Sequence, residues 1–212
     1  MRYRHLIWDW NGTLLDDGWL CVEVLNTILA EHNRPAVTLE HYLANFGFPV
    51  INYYQSLGFE LTPAEFERLS HVYIARYEAR RLECRLRPGA REAVAAVHAR
   101  GVEQVILSAY LQGTLEEIVA HHGLSHFFDK LIGNRDIFAH GKAEHGRAHL
   151  ASLPHEPDAV LLIGDTLHDL EVAEAIGADC VLMAGGHTAT ERLEATGRPV
   201  VDSPEAALAF LD

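Results

Sequence analysis

From residue 89 onward the sequence alternates short apolar runs with short helical patterns, and this alternation limits the folds that the chain can adopt. Strands that are apolar along their whole length need cover on both faces, and connecting helices supply it when neighbouring strands run parallel. The pattern therefore predicts an α/β fold with a Rossmann-like parallel sheet and helices on both faces. Together with an apolar run near the N-terminus, the predicted strands are residues 4–8, 104–107, 130–133, 159–163, 180–183 and 199–201.

Residues 15–88, which lie between the first strand and the alternating region, have a helical pattern throughout. The run Thr62-Pro63-Ala64-Glu65 within it has the features of a capping box with proline at the first helical position, which is a strong signal for a helix start. We predict no strand in this segment. The sequence thus predicts two domains, an α/β core made of residues 1–14 and 89–212 and an inserted all-helical cap made of residues 15–88.

Composition and charge exclude several classes of protein. The net charge of −13 disfavours nucleic acids and anionic membranes as partners, because both would be repelled. Cys21, Cys84 and Cys180 do not have metal-ligand spacing and are expected to be reduced, mostly buried thiols. Too few apolar residues precede Asp9 for a signal peptide or a membrane span, so we expect a cytoplasmic protein.

Polar residues follow several of the predicted strands. Asp9, Ser108 and Asp165 each come at the end of a strand, and Lys142 lies in the loop after another. Open α/β sheets bind ligands at the carboxyl ends of their strands. These four residues, far apart in the sequence, are therefore expected to surround one crevice.

Four short motifs, in this order, resemble those of the haloacid dehalogenase (HAD) superfamily. Asp9-Trp10-Asn11-Gly12-Thr13 resembles motif I, and the apolar strand that ends in Ser108 resembles motif II. Lys142 lies where the phosphate-binding lysine of motif III is expected, and Gly164-Asp165-Thr166-Leu167-His168-Asp169 resembles the metal-binding motif IV. The helices between motifs I and II resemble the helical cap of the phosphoglycolate-phosphatase-like members.

The resemblance implies a phosphatase that hydrolyses a small phosphomonoester through an aspartyl-phosphate formed on Asp9. Lys142 would neutralise phosphoryl charge, and Ser108 would donate a hydrogen bond to a phosphoryl oxygen. The implied cofactor is Mg²⁺, held by the Asp9 carboxylate, the backbone carbonyl of Asn11 and Asp165, with Asp169 in the outer shell or orienting water. The implied partner is a small phosphorylated metabolite, and the protein is expected to be a monomer or a homodimer.

Asn11 is a departure from the pattern of the superfamily. Most of its phosphatases have a second aspartate at this position, which protonates the leaving oxygen and then deprotonates the attacking water. An amide cannot transfer a proton, and general acid–base catalysis contributes roughly 10²–10⁴-fold to a rate. We therefore expect slow hydrolysis of alkyl esters, with a smaller loss on aryl or acyl phosphates. The alternative is a catalytically weak or inactive HAD-like protein that binds a phosphometabolite in a regulatory role.

Other interpretations of these residues stay open. Asp169 could only cap the helix that follows it, Ser108 could satisfy local backbone groups, and Lys142 could lie on the surface. Phosphonate hydrolysis is disfavoured because it needs a lysine in the cap, and residues 15–88 contain none. The aspartates of motif IV argue against a dehalogenase.

Several further residues are weaker candidates. Phe46, Pro49 and Tyr53 surround a helix break in the predicted cap and could select the substrate, although packing within the cap would also explain them. His145 and His149 fall on one helix face, for which a solvated surface is favoured over a zinc site. His168 lies inside motif IV and could either reach the substrate or lie on the surface.

Overall fold

The computed structural model describes residues 2–135 and 141–211. Its strands are β1 (His5–Trp8), β2 (Leu15–Asp16), β3 (Arg85–Leu86), β4 (Glu103–Leu111), β5 (Lys130–Asn134), β6 (Val160–Gly164), β7 (Asp179–Met183) and β8 (Val200–Val201). Its α-helices are α1 (Gly18–Glu31), α2 (Leu39–Asn45), α3 (Val50–Ser56), α4 (Pro63–Glu78), α5 (Ala90–Ala99), α6 (Gln112–His121), α7 (Lys142–Leu150), α8 (Leu167–Ile176), α9 (Thr190–Glu194) and α10 (Pro204–Ala207).

Six strands form a parallel sheet in the order β5-β4-β1-β6-β7-β8. The first strand, β1, lies inside the sheet, and it pairs with β4 on one side and β6 on the other. Its side chains alternate between two hydrophobic cores. Leu6 and Trp8 pack with residues of α1, α5 and α6 on one face, whereas Ile7 packs with residues of α7 and α8 on the other. The predicted α/β fold, with helices on both faces of a parallel sheet, is confirmed.

The prediction that residues 15–88 contain no strand is wrong. Leu15 and Asp16 pair antiparallel with Leu86 and Arg85, so β2 and β3 form a small ladder between the first and last residues of the helical segment. Strands of two residues are too short to have a readable period, and their pairing joins positions about seventy residues apart. The ladder brings the two connections of the helical segment side by side.

Two predicted elements near the expected site also differ from the structure. The strand β4 does not end at Ser108 but continues to Leu111, and its pairing with β5 shifts register between Leu107 and Leu111. Lys142 does not lie in a loop, because it is the first residue of α7. The apolar run of the sequence ends at Leu107, where the pairing becomes irregular. The sequence pattern therefore did not show that the strand continues.

The capping box predicted at Thr62 is present at the start of α4. The Thr62 hydroxyl accepts from the Glu65 backbone N–H at 3.3 Å, and the Glu65 carboxylate accepts from the Thr62 N–H at 2.8 Å. The three cysteines are buried free thiols. Across the described residues, no helix combines the length and the apolar character needed to cross a membrane.

The end of the sheet opposite the carboxyl ends of the strands contains a buried histidine pair. His149 is 7% exposed, and its Nε2 lies 2.9 Å from Nε2 of His5. The expectation of a solvated face is therefore wrong for His149. Burial, followed by the neighbouring His5, lowers the pKa of His149 from its ordinary 6.5 to about 4, and burial lowers the pKa of His5 as well.

We expect the His149 pair to make the fold acid-sensitive. Between the ordinary pKa of 6.5 and the folded value of about 4, the unfolded chain binds a proton that folded His149 does not. The free energy of unfolding should therefore fall as the pH decreases, by about 1–2 kcal/mol between pH 7 and pH 5. Urea unfolding across this range measures it.

His149→Gln, which stays neutral and can still bond His5, should flatten this pH dependence, whereas the exposed His41→Gln should leave it as in the wild type. An unchanged slope in His149→Gln would contradict the assignment.

Candidate active site

The lysine at the start of α7 connects two of the predicted aspartates. Its Nζ lies 2.5 Å from Oδ1 of Asp9 and 2.5 Å from Oδ1 of Asp169. All three side chains are buried, with Lys142 only 3% exposed. The structure thus brings together residues from motifs I, III and IV, separated in sequence by up to 160 positions.

Asp165 lies next to this group because β1 and β6 are neighbours in register. Trp8 pairs with Ile163, and the Asp9 backbone N–H donates to the Ile163 carbonyl at 2.9 Å, so both strands end at the same level. The Asp165 carboxylate accepts from the Thr13 hydroxyl at 2.8 Å and from the His187 backbone N–H at 2.6 Å. These two donors hold the carboxylate in one orientation.

Close backbone approach at Asp165 requires glycine. A Cβ on Gly12, whose φ is +76°, would lie 2.2 Å from Oδ2 of Asp165, and a Cβ on Gly186 would lie at the same distance. Neither position could carry a side chain without moving the carboxylate. The glycine of motif I therefore supplies both the turn after β1 and the space for Asp165.

Burial and crowding shift the pKa values of these carboxyls. Burial raises the pKa of Asp9 to about 8, and Asp169 and Asp165 add to the rise while Lys142 opposes it. Burial likewise raises the pKa of Asp165. For Asp169, burial alone would raise the pKa, but the Lys142 ammonium and the Thr166 donors outweigh it and lower the pKa. The site therefore needs more positive charge than Lys142 supplies to keep all three carboxyls ionised.

The three carboxylates could hold a hard metal cation. Oxygens of Asp9, Asp165 and Asp169 all lie within 4.8 Å of one another, and all three residues are buried. Carboxylate oxygens are the ligands that Mg²⁺ prefers in proteins. The donor set and its excess of negative charge fit a divalent cation.

Besides being a candidate for holding a cation, Asp169 has two structural functions. Its Oδ2 accepts from the Thr166 backbone N–H at 3.0 Å and from the Thr166 hydroxyl at 2.7 Å, which forms the capping box of α8. Its Oδ1 accepts from Lys142. The helix-capping interpretation is thus observed, together with a contact that holds the lysine in place.

Ser108 is buried in the wall of the same crevice. Its Oγ accepts from the Tyr110 backbone N–H at 3.2 Å, which is the local role considered from the sequence. Accepting that bond does not use the hydroxyl hydrogen. Ser108 can therefore satisfy local backbone and still donate to a bound oxygen.

The Asn11 amide is engaged on the side of α1 and α4. Its Nδ2 donates to Oδ2 of Asp17 and to the Tyr77 hydroxyl, both at 2.9 Å, and Tyr77 in turn donates to Asp17 at 2.8 Å. The reverse orientation of the amide would place its oxygen against a carboxylate. Both amide hydrogens are thus used within the protein.

Asp17 belongs to a second buried cluster, which the sequence analysis missed. Its Oδ1 lies 3.1 Å from Nε2 of His187, whose Nδ1 lies 3.1 Å from the Tyr42 hydroxyl. Burial disfavours both charges, but the contact with Asp17 outweighs it and raises the pKa of His187 to about 9. For Asp17, His187 and the donors Asn11 and Tyr77 likewise outweigh burial, and the pKa is lowered.

One sequence signal for this cluster was available. His187 follows β7, just as Asp9 follows β1 and Asp165 follows β6, so the rule of polar residues after parallel strands could have included it. Tyr77 gave no such signal, because its place on α4 is set by packing.

A cavity of about 760 Å³ joins these residues to the helices α2, α3 and α4. Asp9, Asn11, Ser108, Lys142 and Asp169 line it. The predicted specificity residues Phe46, Pro49 and Tyr53 line it as well, and so does His168, whose ring centroid lies 4.7 Å from that of Phe48. His145 and His149 do not line this cavity, so the helix face they share is not part of the site.

Solved structures with this fold are known. A haloacid dehalogenase-like family hydrolase from Streptococcus pneumoniae superposes with a TM-score of 0.82 at 19% sequence identity, covering 100% of this chain and 99% of that one. At this identity the similarity shows the fold.

Two relatives match nearly the full length of the chain. A phosphoglycolate phosphatase from Caulobacter vibrioides is 27% identical, covering 97% of this chain and 91% of that protein. A protein named "Probable phosphatase IndB" from Dickeya dadantii is 25% identical, covering 92% of this chain and 87% of that protein. The model of the family described as "Haloacid dehalogenase-like hydrolase" matches residues 6–183. Fold, motifs and this match agree, and the chain belongs to the haloacid dehalogenase-like hydrolase family.

Proposed function

We propose that this protein is a Mg²⁺-dependent phosphatase that hydrolyses a small phosphomonoester through an aspartyl-phosphate on Asp9. The observation that carries the proposal is the buried contact of Lys142 with both Asp9 and Asp169, beside Asp165. A nucleophilic carboxylate, a lysine and a crowded set of carboxylates at the end of a sheet suit phosphoryl transfer. The names of the two relatives, both phosphatases, support the same reaction class.

In the proposed reaction an Asp9 oxygen forms a bond to phosphorus while the ester P–O bond breaks and its electron pair leaves with the alcohol oxygen. Water then attacks the phosphorus of the acyl phosphate and releases inorganic phosphate and free Asp9. Lys142 stabilises the charge on the phosphoryl oxygens, and Ser108 donates to one of them. Mg²⁺ held by Asp9, the Asn11 carbonyl and Asp165 would supply Lewis-acid stabilisation of the phosphoryl group. Asp169 would keep Lys142 in place.

We also propose that residues 15–88 act as a cap over a core made of residues 1–14 and 89–212. The β2–β3 ladder lies where the cap joins the core, and the cavity is lined from both sides. Movement at these connections would admit the substrate and then exclude water.

The first test is turnover of p-nitrophenyl phosphate. We expect Mg²⁺-dependent hydrolysis by the wild type and a loss of at least about 10³-fold in Asp9→Asn, because the amide cannot attack phosphorus. Asp158→Asn, a matched change at an exposed aspartate far from the site, should keep full activity.

The regulatory alternative predicts binding of phosphate without turnover. Phosphate bound by the wild type in calorimetry, with no turnover of any ester, would exclude the phosphatase and favour a phosphometabolite-binding protein.

A second test exchanges the side chains of Asn11 and Asp17, which are hydrogen-bonded to each other. Asn11→Asp alone would place a carboxylate 2.9 Å from that of Asp17, and the two would repel. We therefore expect the double variant Asn11→Asp/Asp17→Asn, which conserves charge, to increase kcat on an alkyl phosphate about 10-fold to 100-fold by restoring a proton donor. The measurement is the ratio of kcat values on alkyl and aryl esters.

Asp17→Asn alone is the control, since it removes the carboxylate without creating an acid at position 11. A double variant that is folded by circular dichroism but has an unchanged alkyl-to-aryl ratio would show that residue 11 does not limit the reaction.

A further inference from the structure

Building on the proposed phosphatase activity, we infer the chemical class of the substrate. The cavity next to Asp9 points to an aryl phosphate, the monoester of a phenol, that carries no anionic group besides the phosphate. The inference rests on the aromatic wall of the cavity, on the lack of arginine and free lysine among its described lining residues, and on the engaged amide of Asn11.

One part of the cavity wall is aromatic. The segment between α2 and α3 contributes Phe46 and Phe48, whose ring centroids lie 5.6 Å apart edge to face, and Tyr53 packs edge to face on Phe46 at 5.5 Å. Phe46 and Phe48 are half-buried, so part of each ring stays available to a ligand. Phe66 and Tyr73 of α4 continue this wall. Aromatic side chains in such edge-to-face contacts favour another ring as a ligand.

Among the described lining residues, no arginine and no free lysine is available to a second anionic group. Among the described residues that line the cavity there is no arginine, and the one lysine is Lys142, which is bonded to Asp9 and Asp169. Asp17, which precedes α1, and Glu67 of α4 are acidic residues of the lining. Nδ1 of His168 lies 3.3 Å from a carboxylate oxygen of Glu171, while its Nε2 has no hydrogen-bond partner within the protein, and His187 is paired with Asp17.

Three arginines on or next to the helices around the cavity are bonded to other groups of the protein. Arg76 bonds Glu31 at 2.7 Å, Arg80 bonds Glu23 at 2.7 Å, and Arg192 donates to the backbone carbonyl of Phe46 at 2.7 Å. A carboxylate on the substrate, such as that of phosphoglycolate, would thus face acidic and aromatic groups. Burying an unpaired carboxylate in such surroundings is unfavourable.

The chemistry at Asn11 independently favours an aryl phosphate as the substrate. Both amide hydrogens are given to Asp17 and Tyr77, so this residue offers no proton to a departing alkoxide. A phenol, with a pKa of about 10, leaves as a phenolate with the electron pair of the P–O bond and takes its proton from solvent. An alkoxide, which is far more basic, would need a proton as the bond breaks.

The size of the cavity agrees with a ring substrate. Its volume of about 760 Å³ lies in the range of roughly 300–1,000 Å³ found for pockets that enclose drug-sized ligands. A two-carbon phosphate compound would leave most of it empty.

The binding test uses phosphonates, which cannot be hydrolysed, titrated by calorimetry into the wild-type protein with Mg²⁺. Benzylphosphonate should bind at least about 10-fold more tightly than methylphosphonate, corresponding to about 1.4 kcal/mol from ring contacts. Phosphonoacetate, which carries a carboxylate, should bind no better than methylphosphonate. Equal affinities for all three, or tightest binding of phosphonoacetate, would overturn the inference.

Variants of the residues that line the cavity test whether the aromatic wall causes this preference. Phe48→Ala should lower the preference for the benzyl over the methyl compound several-fold, whereas the exposed Leu82→Ala, outside the cavity, should leave it unchanged. Ile51→Arg, which places a cation in the lining, should increase the affinity for phosphonoacetate. Unchanged preferences in both wall variants would show that this wall does not contact the ligand.

Steady-state kinetics distinguish the effect of the aromatic wall on substrate binding from the effect of the leaving group on turnover. With 2-naphthyl, benzyl and acetyl phosphate and phosphoglycolate, KM should be lower for the two ring compounds, while kcat should follow leaving-group acidity and be low for benzyl phosphate. Turnover of p-nitrophenyl phosphate without ring-dependent binding would refute the substrate class and leave the phosphatase intact. Ring-dependent phosphonate binding without turnover of any ester would refute the phosphatase activity and leave the preference of the cavity for a ring intact.

Discussion

The buried ammonium of Lys142, which bonds both Asp9 and Asp169, is the interaction on which the arrangement of the site depends. With Asp165, three carboxylates lie within 4.8 Å of one another where little water can screen them. The paired strands β1 and β6 hold Asp9 and Asp165 together despite their repulsion, and the capping box of α8 fixes Asp169. One lysine offsets only part of this charge. The sheet thus concentrates more negative charge at this place than Lys142 offsets.

The sequence predicted the features that follow from local periodicity. The six strands of the parallel sheet, the start of α4 at Thr62 and the position of Asp9 and Asp165 at strand ends could be derived from the spacing of apolar and polar residues. The β2–β3 ladder and the Asp17–His187 contact could not, because they join residues about 70 and 170 positions apart without a local pattern. Asn11 was recognised as a departure, but its partners required the packing of α1 and α4.

The two buried clusters share a boundary at motif I. On one side, Lys142 balances part of the charge of Asp9; on the other, His187 balances Asp17. Asn11 lies between them, with its side chain bonded toward Asp17 and Tyr77. An aspartate at position 11 would add a carboxylate to a region that already holds four. The amide therefore suits the electrostatics of this chain, although it removes the proton donor that the motif usually contains.

The hydrogen bonds of the Gly12 amide bear on the chemical lifetime of the protein. Asn-Gly peptides deamidate when the glycine nitrogen attacks the asparagine amide carbon and closes a succinimide ring. In this fold that nitrogen donates to the Leu15 carbonyl at 3.0 Å and to Oδ1 of Asp17 at 2.9 Å, while the Asn11 amide is bonded to Tyr77. Ring closure would have to break these contacts. The contacts that fix motif I therefore also oppose the conversion of Asn11 to aspartate.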